Sequence, residues 1–373
     1  MERFKPMSHA MRKNIGVIGL GIIGRGVAGN LRRKGFPVYV WNRSPRSVPN
    51  FVGSPGEVAE ICNYIQIFVS DDEALLQTVA QLRENLTSRH LVLTHSTVAP
   101  DSMRSAAEIV EHCKARFVEA PFTGSKAAAE KGELVYYVSG NDAALREARP
   151  ILEASSKEIT EIGATIGQAS AIKVATNMIT AASVQATAEA LALVQALGLP
   201  LEKFVEAMRS NASQSTTLAM KLPKMLNRDF EPHFSVKHML KDMQIANQIG
   251  LSHYLDLGVT AAARDQLLEQ MHWGHGDDDY SVVARKYLHE PAAAVGKELQ
   301  SSDQDEQGDA GELIASPAEV ETQPLAPQDA GPEVSPTPLV GFGVASGGAA
   351  PETTRLRRGF LKQLLSRLSS EKE

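Results

Sequence analysis

The chain has 373 residues, of which 43% are apolar and 22% charged, with a formal net charge of −6. That length suits two domains with chain to spare, and no apolar run reaches the ~20 residues that a bilayer-spanning helix needs. Two cysteines, Cys62 and Cys113, exclude a disulfide scaffold and point to a reducing compartment. Residues 1–14 lack the apolar core of a signal peptide, so the expectation is a cytoplasmic protein, with Met11 as a second candidate start. The acidity is uneven: residues 291–373 hold thirteen acids and seven bases, which leaves 31 of each sign in residues 1–290. A neutral globular part argues against a nucleic-acid binder built on a basic field.

Between Asn14 and Ile162 short apolar runs alternate with helical stretches. The runs are 15–18, 38–41, 65–69, 91–94, 116–119 and 134–138, and helical periodicity marks 72–84 and 101–113. The alternation predicts an α/β domain over 13–165, a parallel sheet covered by helices on both faces. Near Gly167 the pattern changes. Residues 168–197 are rich in alanine and long aliphatics, contain no proline and stop at Gly198 and Pro200, which predicts one long buried helix. Further helices are expected over 201–210, 235–249, 256–271 and 281–289, making 166–290 an all-helical second domain. Residues 291–354 carry eleven acids against Lys297 alone, with Phe342 as their one aromatic; too apolar-poor to offset ordering entropy, they read as a disordered acidic linker. In 355–373 six bases face two acids, and Leu356, Phe360, Leu361, Leu364, Leu365 and Leu368 share one helical face. This basic amphipathic helix would suit an anchor on a partner protein or surface, targeting the chain to a protein assembly.

Gly19-Leu20-Gly21-Ile22-Ile23-Gly24 directly follows the first strand and opens the first helix. In that context the G-x-G-x-x-G spacing predicts a Rossmann-type dinucleotide site: Gly19 for the tight turn, Gly21 for close approach of a pyrophosphate, Gly24 for helix–strand packing. The helix N-terminus adds unpaired N–H groups and a partial positive charge. The second strand ends in Asn42-Arg43-Ser44, with no carboxylate to hold two ribose hydroxyls. Arg43, helped by Asn42 and Ser44, suits a 2′-phosphate instead, so the expected cofactor is NADP(H), with NAD(H) as the second choice. Lys173 and Asn177 lie one turn apart on the long helix, a pairing that suits an interdomain cleft but equally a lysine snorkelling at the surface.

Four separated motifs carry a resemblance to the β-hydroxyacid dehydrogenase family across about 13–290. They are Gly16 to Gly24, the turn Glu119-Ala120-Pro121-Phe122-Thr123-Gly124-Ser125-Lys126, the stretch from Gly167 through Lys173 to Asn177, and Lys241-Asp242-Met243; Asp279-Tyr280-Ser281 is similar to a fifth. The resemblance implies an NADPH-dependent reductase interconverting a small carboxylated aldehyde and its hydroxyacid. It makes Lys173 the general acid/base and gives Asn177, Thr123, Gly124 and Ser125 to the substrate. The cofactor would be held by Gly19 through Gly24, Asn42, Arg43, Ser44, Val69, Ser70, Thr97 and Lys241. It also implies a homodimer or homotetramer formed partly through the long helix. An ammonium beside a carbonyl oxygen would stabilise the developing charge and donate the proton. Thr123, Phe122 and His95 depart from the family's usual serine, small aliphatic and serine; His95 is read as a supporting or surface side chain. The other histidines show no metal-ligand spacing, so no metal is expected, and Asp279 with Ser281 reads as a helix cap. Two alternatives remain: an imine reductase-like enzyme, which would carry Asp or Tyr in place of Lys173, and a non-catalytic scaffold acting through its C-terminal helix.

Overall fold

The computed structural model describes residues 13–288. The linker expected over 291–354, the helix expected over 355–373 and the second start at Met11 lie outside the described residues. Strands β1 (Ile15–Ile18), β2 (Val38–Trp41), β3 (Tyr64–Ile67), β4 (Leu91–Thr94) and β5 (Arg116–Glu119) run parallel in the order β2-β1-β3-β4-β5. Every residue of β1 and β4 is buried. Strands covered on both faces need no polar side, which is why these read as unbroken apolar runs. Helices α1 (Ile22–Arg33), α2 (Pro55–Ile61), α3 (Asp72–Leu82) and α4 (Pro100–His112) connect the strands. One face of the sheet packs Ile15 and Val17 against Val27, Ala28 and Leu31 of α1. The other packs Ile65 and Ile67 among Leu75 and Val79 of α3 and Met103 and Val110 of α4.

Past β5 the sheet departs from the parallel pattern expected of it. Strand β7 (Leu134–Gly140) is antiparallel to β5 and to the short β6 (Phe122–Thr123), and parallel to β8 (Ser156–Gly163) on its other side. The helix between β6 and β7, α5 (Lys126–Lys131), has six residues. At about 9 Å it is too short for a parallel crossover. The eleven residues of α6 (Asp142–Leu152) suffice for one between β7 and β8.

From Gly167 on the chain is helical: α7 (Gln168–Ala196), α8 (Leu201–Arg209), α9 (Thr216–Leu226), α10 (Val236–Ser252) and α11 (Gly258–His272). Val184, Ala188 and Leu191 of α7 share a core with Leu222 and Met225 of α9, Met239 and Met243 of α10 and Leu267 of α11. The α-helix expected over 281–289 is instead a 3-10 helix, Tyr280–Lys286. Its residues 280–284 are all buried, so it has no polar face for an α-helical stripe to leave outside. Helix α9 is not among the expected elements: it holds Pro223 in its interior, and two of its buried positions are lysines, Lys221 and Lys224.

Helix α7 starts on Gly167 at φ 99°; a Cβ there would lie 2.5 Å from the Arg104 guanidinium. Gly167 brings no side-chain cap. The carboxylate of Glu119, at the end of β5 and fully buried, caps the helix instead. It accepts the Gly167 N–H at 2.6 Å and the Ser170 N–H with its other oxygen. Burial raises the Glu119 carboxyl, while these N–H groups favour its charged form. Among the described residues no helix is long and apolar enough to cross a membrane.

Candidate active site

The parallel strands point their C-terminal ends at one crevice, where open α/β sheets bind ligands. There the turn after β1 is closed inward. A Cβ on Gly19, whose φ is 95°, would lie 2.0 Å from the Phe68 carbonyl oxygen, and one on Gly24 2.0 Å from that of Gly19. Gly21 faces open space, with nothing within 4 Å of its missing Cβ, and α1 begins there without a side-chain cap. Backbone N–H groups at an open, uncapped helix start form an anion cradle, and these residues fit a dinucleotide's pyrophosphate. Leu20 is buried beneath the turn, while Ile22 and Ile23 open α1. Asn42 braces the cradle: its Oδ1 accepts the Leu20 N–H at 2.9 Å and its Nδ2 donates to the Ser44 carbonyl at 2.8 Å. Arg43 and Ser44 are exposed beyond β2.

At the ends of β3 and β4, the Val69 N–H donates to Ser96 Oγ at 3.0 Å and the Ser70 hydroxyl to Asp71 at 2.6 Å. Asp71 also caps α3 through the Ala74 N–H. Burial pushes the Asp71 carboxyl up, but these two bonds and the charges of Lys241 and Arg43 outweigh it and hold the group below the usual carboxylate range.

A chain of hydrogen bonds crosses the cleft between the sheet and the helices. Lys173 Nζ donates to Asn177 Oδ1 at 2.8 Å, and Asn177 Nδ2 donates to Asp242 Oδ2 at 2.6 Å. The other Asp242 oxygen lies 2.9 Å from Lys241 Nζ, which in turn donates to the Thr97 carbonyl. All of Lys173, Asn177 and Asp242 are buried, Asp242 completely. Burial drops the Lys173 ammonium to about 8; Asp242 favours its charge, and Lys241 opposes it. Expected site residues from helices α7 and α10 and from the β4 end thus meet in one network. Asp242, which supports both lysines, belongs to the Lys241-Asp242-Met243 motif, yet its role is not legible in the sequence. Spacing could not reveal a partner 65 residues from Asn177.

The Thr123-Gly124-Ser125 turn joins β6 to α5. Gly124 sits at φ 140°, where a Cβ would meet Leu134 at 2.8 Å, and Ser125 Oγ caps α5 by accepting the Ala128 N–H. Thr123 pairs with Val135 in the β6–β7 ladder. Lys126 lies 3.9 Å from Glu231, in the loop before α10. His95 is fully buried, which overturns a surface position for it. Asp279 does cap its 3-10 helix, accepting the Ser281 N–H, and also binds the buried Lys221. Among the described residues no group of three or more His, Cys, Asp or Glu is placed to hold a metal ion.

Residues 14–163 match the model for the NAD-binding domain of 6-phosphogluconate dehydrogenase. Residues 167–287 match that for the NAD-binding part of NADP-dependent 3-hydroxyisobutyrate dehydrogenase. The chain is 30% identical over 279 residues to glyoxylate/succinic semialdehyde reductase 1 of Arabidopsis thaliana, covering 72% of this chain and 96% of that one. It is also 28% identical over 287 residues to the cytokine-like nuclear factor N-PAC of Danio rerio, covering 74% of this chain and 62% of the relative. In fold it is similar to a Mycobacterium tuberculosis 3-hydroxyisobutyrate dehydrogenase structure with L-serine, with a TM-score of 0.67 at 24% identity, covering 75% of this chain and 100% of the other. At this identity and coverage, the chain belongs to the β-hydroxyacid dehydrogenase family of NAD(P)-dependent oxidoreductases.

Proposed function

We propose that the protein is an NADP(H)-dependent reductase of a small carboxylated aldehyde, such as glyoxylate or a semialdehyde, with Lys173 as general acid/base. The observation that carries this reading is the buried Lys173 amine, held 2.8 Å from Asn177 and depressed to about 8. A lysine in this state gives up and regains its proton near neutrality, as a snorkelling surface lysine does not. The relative's name, a glyoxylate/succinic semialdehyde reductase, supports the substrate class.

When bound, the reduced nicotinamide supplies a hydride to the carbonyl carbon. Glycines 19–24 would hold the pyrophosphate, Arg43 with Ser44 the adenosine end, and Val69, Ser70, Thr97 and Lys241 the remainder. One of the three Lys173 N–H groups is committed to Asn177, which leaves two for the substrate oxygen. Asp242 fixes the Asn177 amide with its oxygen toward the amine, so the proton donor is already aimed. Thr123, Gly124 and Ser125 grip the carboxylate, Gly124 through a backbone that only glycine adopts without strain. We take 13–165 as the nucleotide-binding domain and 166–290 as the substrate domain, a division supported by the matched ranges 14–163 and 167–287. Exposed Ile172, Ile179 and Leu193 on α7, with Leu197 just past its end, support a homo-oligomer formed through that helix. The charge and periodicity of 355–373 support a C-terminal anchor on a partner protein or surface.

Following cofactor oxidation with glyoxylate, succinic semialdehyde, tartronate semialdehyde and methylmalonate semialdehyde tests the reading. Turnover of at least one is expected, with kcat/KM favouring NADPH. Arg43→Ala should lower the NADPH value about 10–100-fold and leave the NADH value nearly unchanged. A wild-type preference for NADH would overturn the assignment of Arg43.

The direction of the Lys173 shift sets a pH dependence. Reduction needs the ammonium, so kcat/KM for reduction should fall as pH rises through about 8. Oxidation of the hydroxyacid needs the free amine and should rise through the same range. Parallel profiles in the two directions would remove Lys173 from the proton transfer.

A further inference from the structure

His95 is fully buried, yet it belongs to none of the hydrogen-bonded groups of the cleft. Its Nδ1 lies 2.8 Å from the Ala120 carbonyl. A carbonyl can only accept, so Nδ1 carries a proton. Burial holds the imidazole down at about 3, which leaves the ring neutral. Nε2 is also buried and has no partner among the described residues, so the side chain reaches toward a single polar target, the backbone of the turn Glu119 to Lys126.

The ring faces tell the same story. His95 stacks on Phe68 at 4.3 Å between centroids and 11° between planes, and meets Tyr136 at 5.2 Å. Phe122 closes the cluster from the far side, 6.4 Å from Phe68 and 6.5 Å from Tyr136. Phe68 is the residue whose backbone carbonyl closes the glycine turn, and Val69 and Ser70 follow it. Phe122 directly precedes Thr123 and Gly124. On its own backbone, His95 donates to the Ile67 carbonyl and is followed by Ser96, which holds the Val69 N–H. One imidazole therefore ties the nucleotide side of the crevice to the turn beside β6.

We infer that His95 is a positioning residue, which through its bond to Ala120 and its stack on Phe68 fixes the Phe122-Thr123-Gly124 turn relative to the glycine cradle. The inference rests on the reading that this turn grips the substrate carboxylate. Pro121 leaves this stretch one backbone N–H fewer to tether it, and its neighbour β6 is only two residues long. A short edge piece needs side-chain support to keep a fixed position.

The test compares the full chain with His95→Leu, which fills the site but donates nothing, and His95→Asn, which restores a donor near Nδ1. For whichever aldehyde the wild type reduces, His95→Leu should raise KM about tenfold, with kcat and NADPH affinity within about twofold, and His95→Asn should recover most of the loss. Amide hydrogen exchange, read without substrate, should speed up over 120–126 in His95→Leu and not in α7 or α10, and His95→Asn should restore it. If the wild type reduces no carboxylated aldehyde, the functional reading fails and the exchange data still decide the inference. Unchanged exchange over 120–126, or an equal increase across the whole protein, overturns it, as does an unchanged KM in an active enzyme.

Discussion

Lys173→Ala is expected to lower kcat by about 10³-fold while NADPH still binds. General acid catalysis by a positioned group is worth about 10²–10⁴-fold, and this amine would also stabilise charge on the substrate oxygen from a site closed to water. Neither of the other basic side chains described beside the site can replace it. Lys241 is committed to Asp242 and the Thr97 carbonyl, and His95 is neutral and turned to Ala120. The glycine cradle and Arg43 make no bond to Lys173, so cofactor affinity, measured by fluorescence titration, should stay within about threefold of wild type. Removing the buried amine also leaves the Asn177 oxygen unpartnered, so a modest fall in stability is expected alongside. Turnover within about tenfold of wild type would exclude Lys173 from the mechanism.

The second large effect is on stability, at Asp279. Its fully buried carboxylate receives both contacts of Lys221 at 2.7 Å, the N–H groups of His233, Phe234 and Ser281, and the Ser281 hydroxyl. It thereby joins α9, the loop before α10 and the closing 3-10 helix at one point. Asp279→Ala strands the Lys221 ammonium, itself buried, and should destabilise by about 3–5 kcal/mol in urea unfolding. Lys221→Met should cost less, because the carboxylate keeps its other donors. The double variant should recover part of the loss of Asp279→Ala. Burial pushes the Asp279 carboxyl up, but Lys221 and Ser281 outweigh it and hold it below the ordinary range. Its stabilisation is thus present at neutral pH and lost as pH falls through the acid range. A loss under about 1 kcal/mol for Asp279→Ala would show the pair to be dispensable.

What was legible in the sequence follows from which forces leave a local pattern. The runs at 15–18, 38–41, 91–94 and 116–119 coincide with β1, β2, β4 and β5, and those of β1 and β4 are clearest because burial on both faces writes continuous apolar residues. Strand β8 left no such run: it borders the sheet and, of its eight residues, none is buried. The Lys173–Asn177 pair could be read because helical periodicity places i and i+4 together. Glu119 as the cap of α7, Asp242 behind Asn177 and Lys221 under Asp279 could not. Each is a contact between elements distant in the chain, and a buried charge looks like any surface charge until its partner is known. Of the two positions read for His95, supporting or surface, the surface one failed for the same reason: its burial is decided by Phe68, just past β3, and by Tyr136 of β7.

The cap on α7 also governs how this molecule can move. Helix α7, which carries Lys173, starts in N–H groups that are satisfied by a carboxylate belonging to the sheet. Swinging the helices bodily away would strip donors from a buried anion, a costly separation in a dry site. The start of α7 is therefore a pivot, and the distance from Lys173 to the sheet is the quantity least free to vary. The contact between the exposed Lys126 and Glu231 is weakly held by comparison.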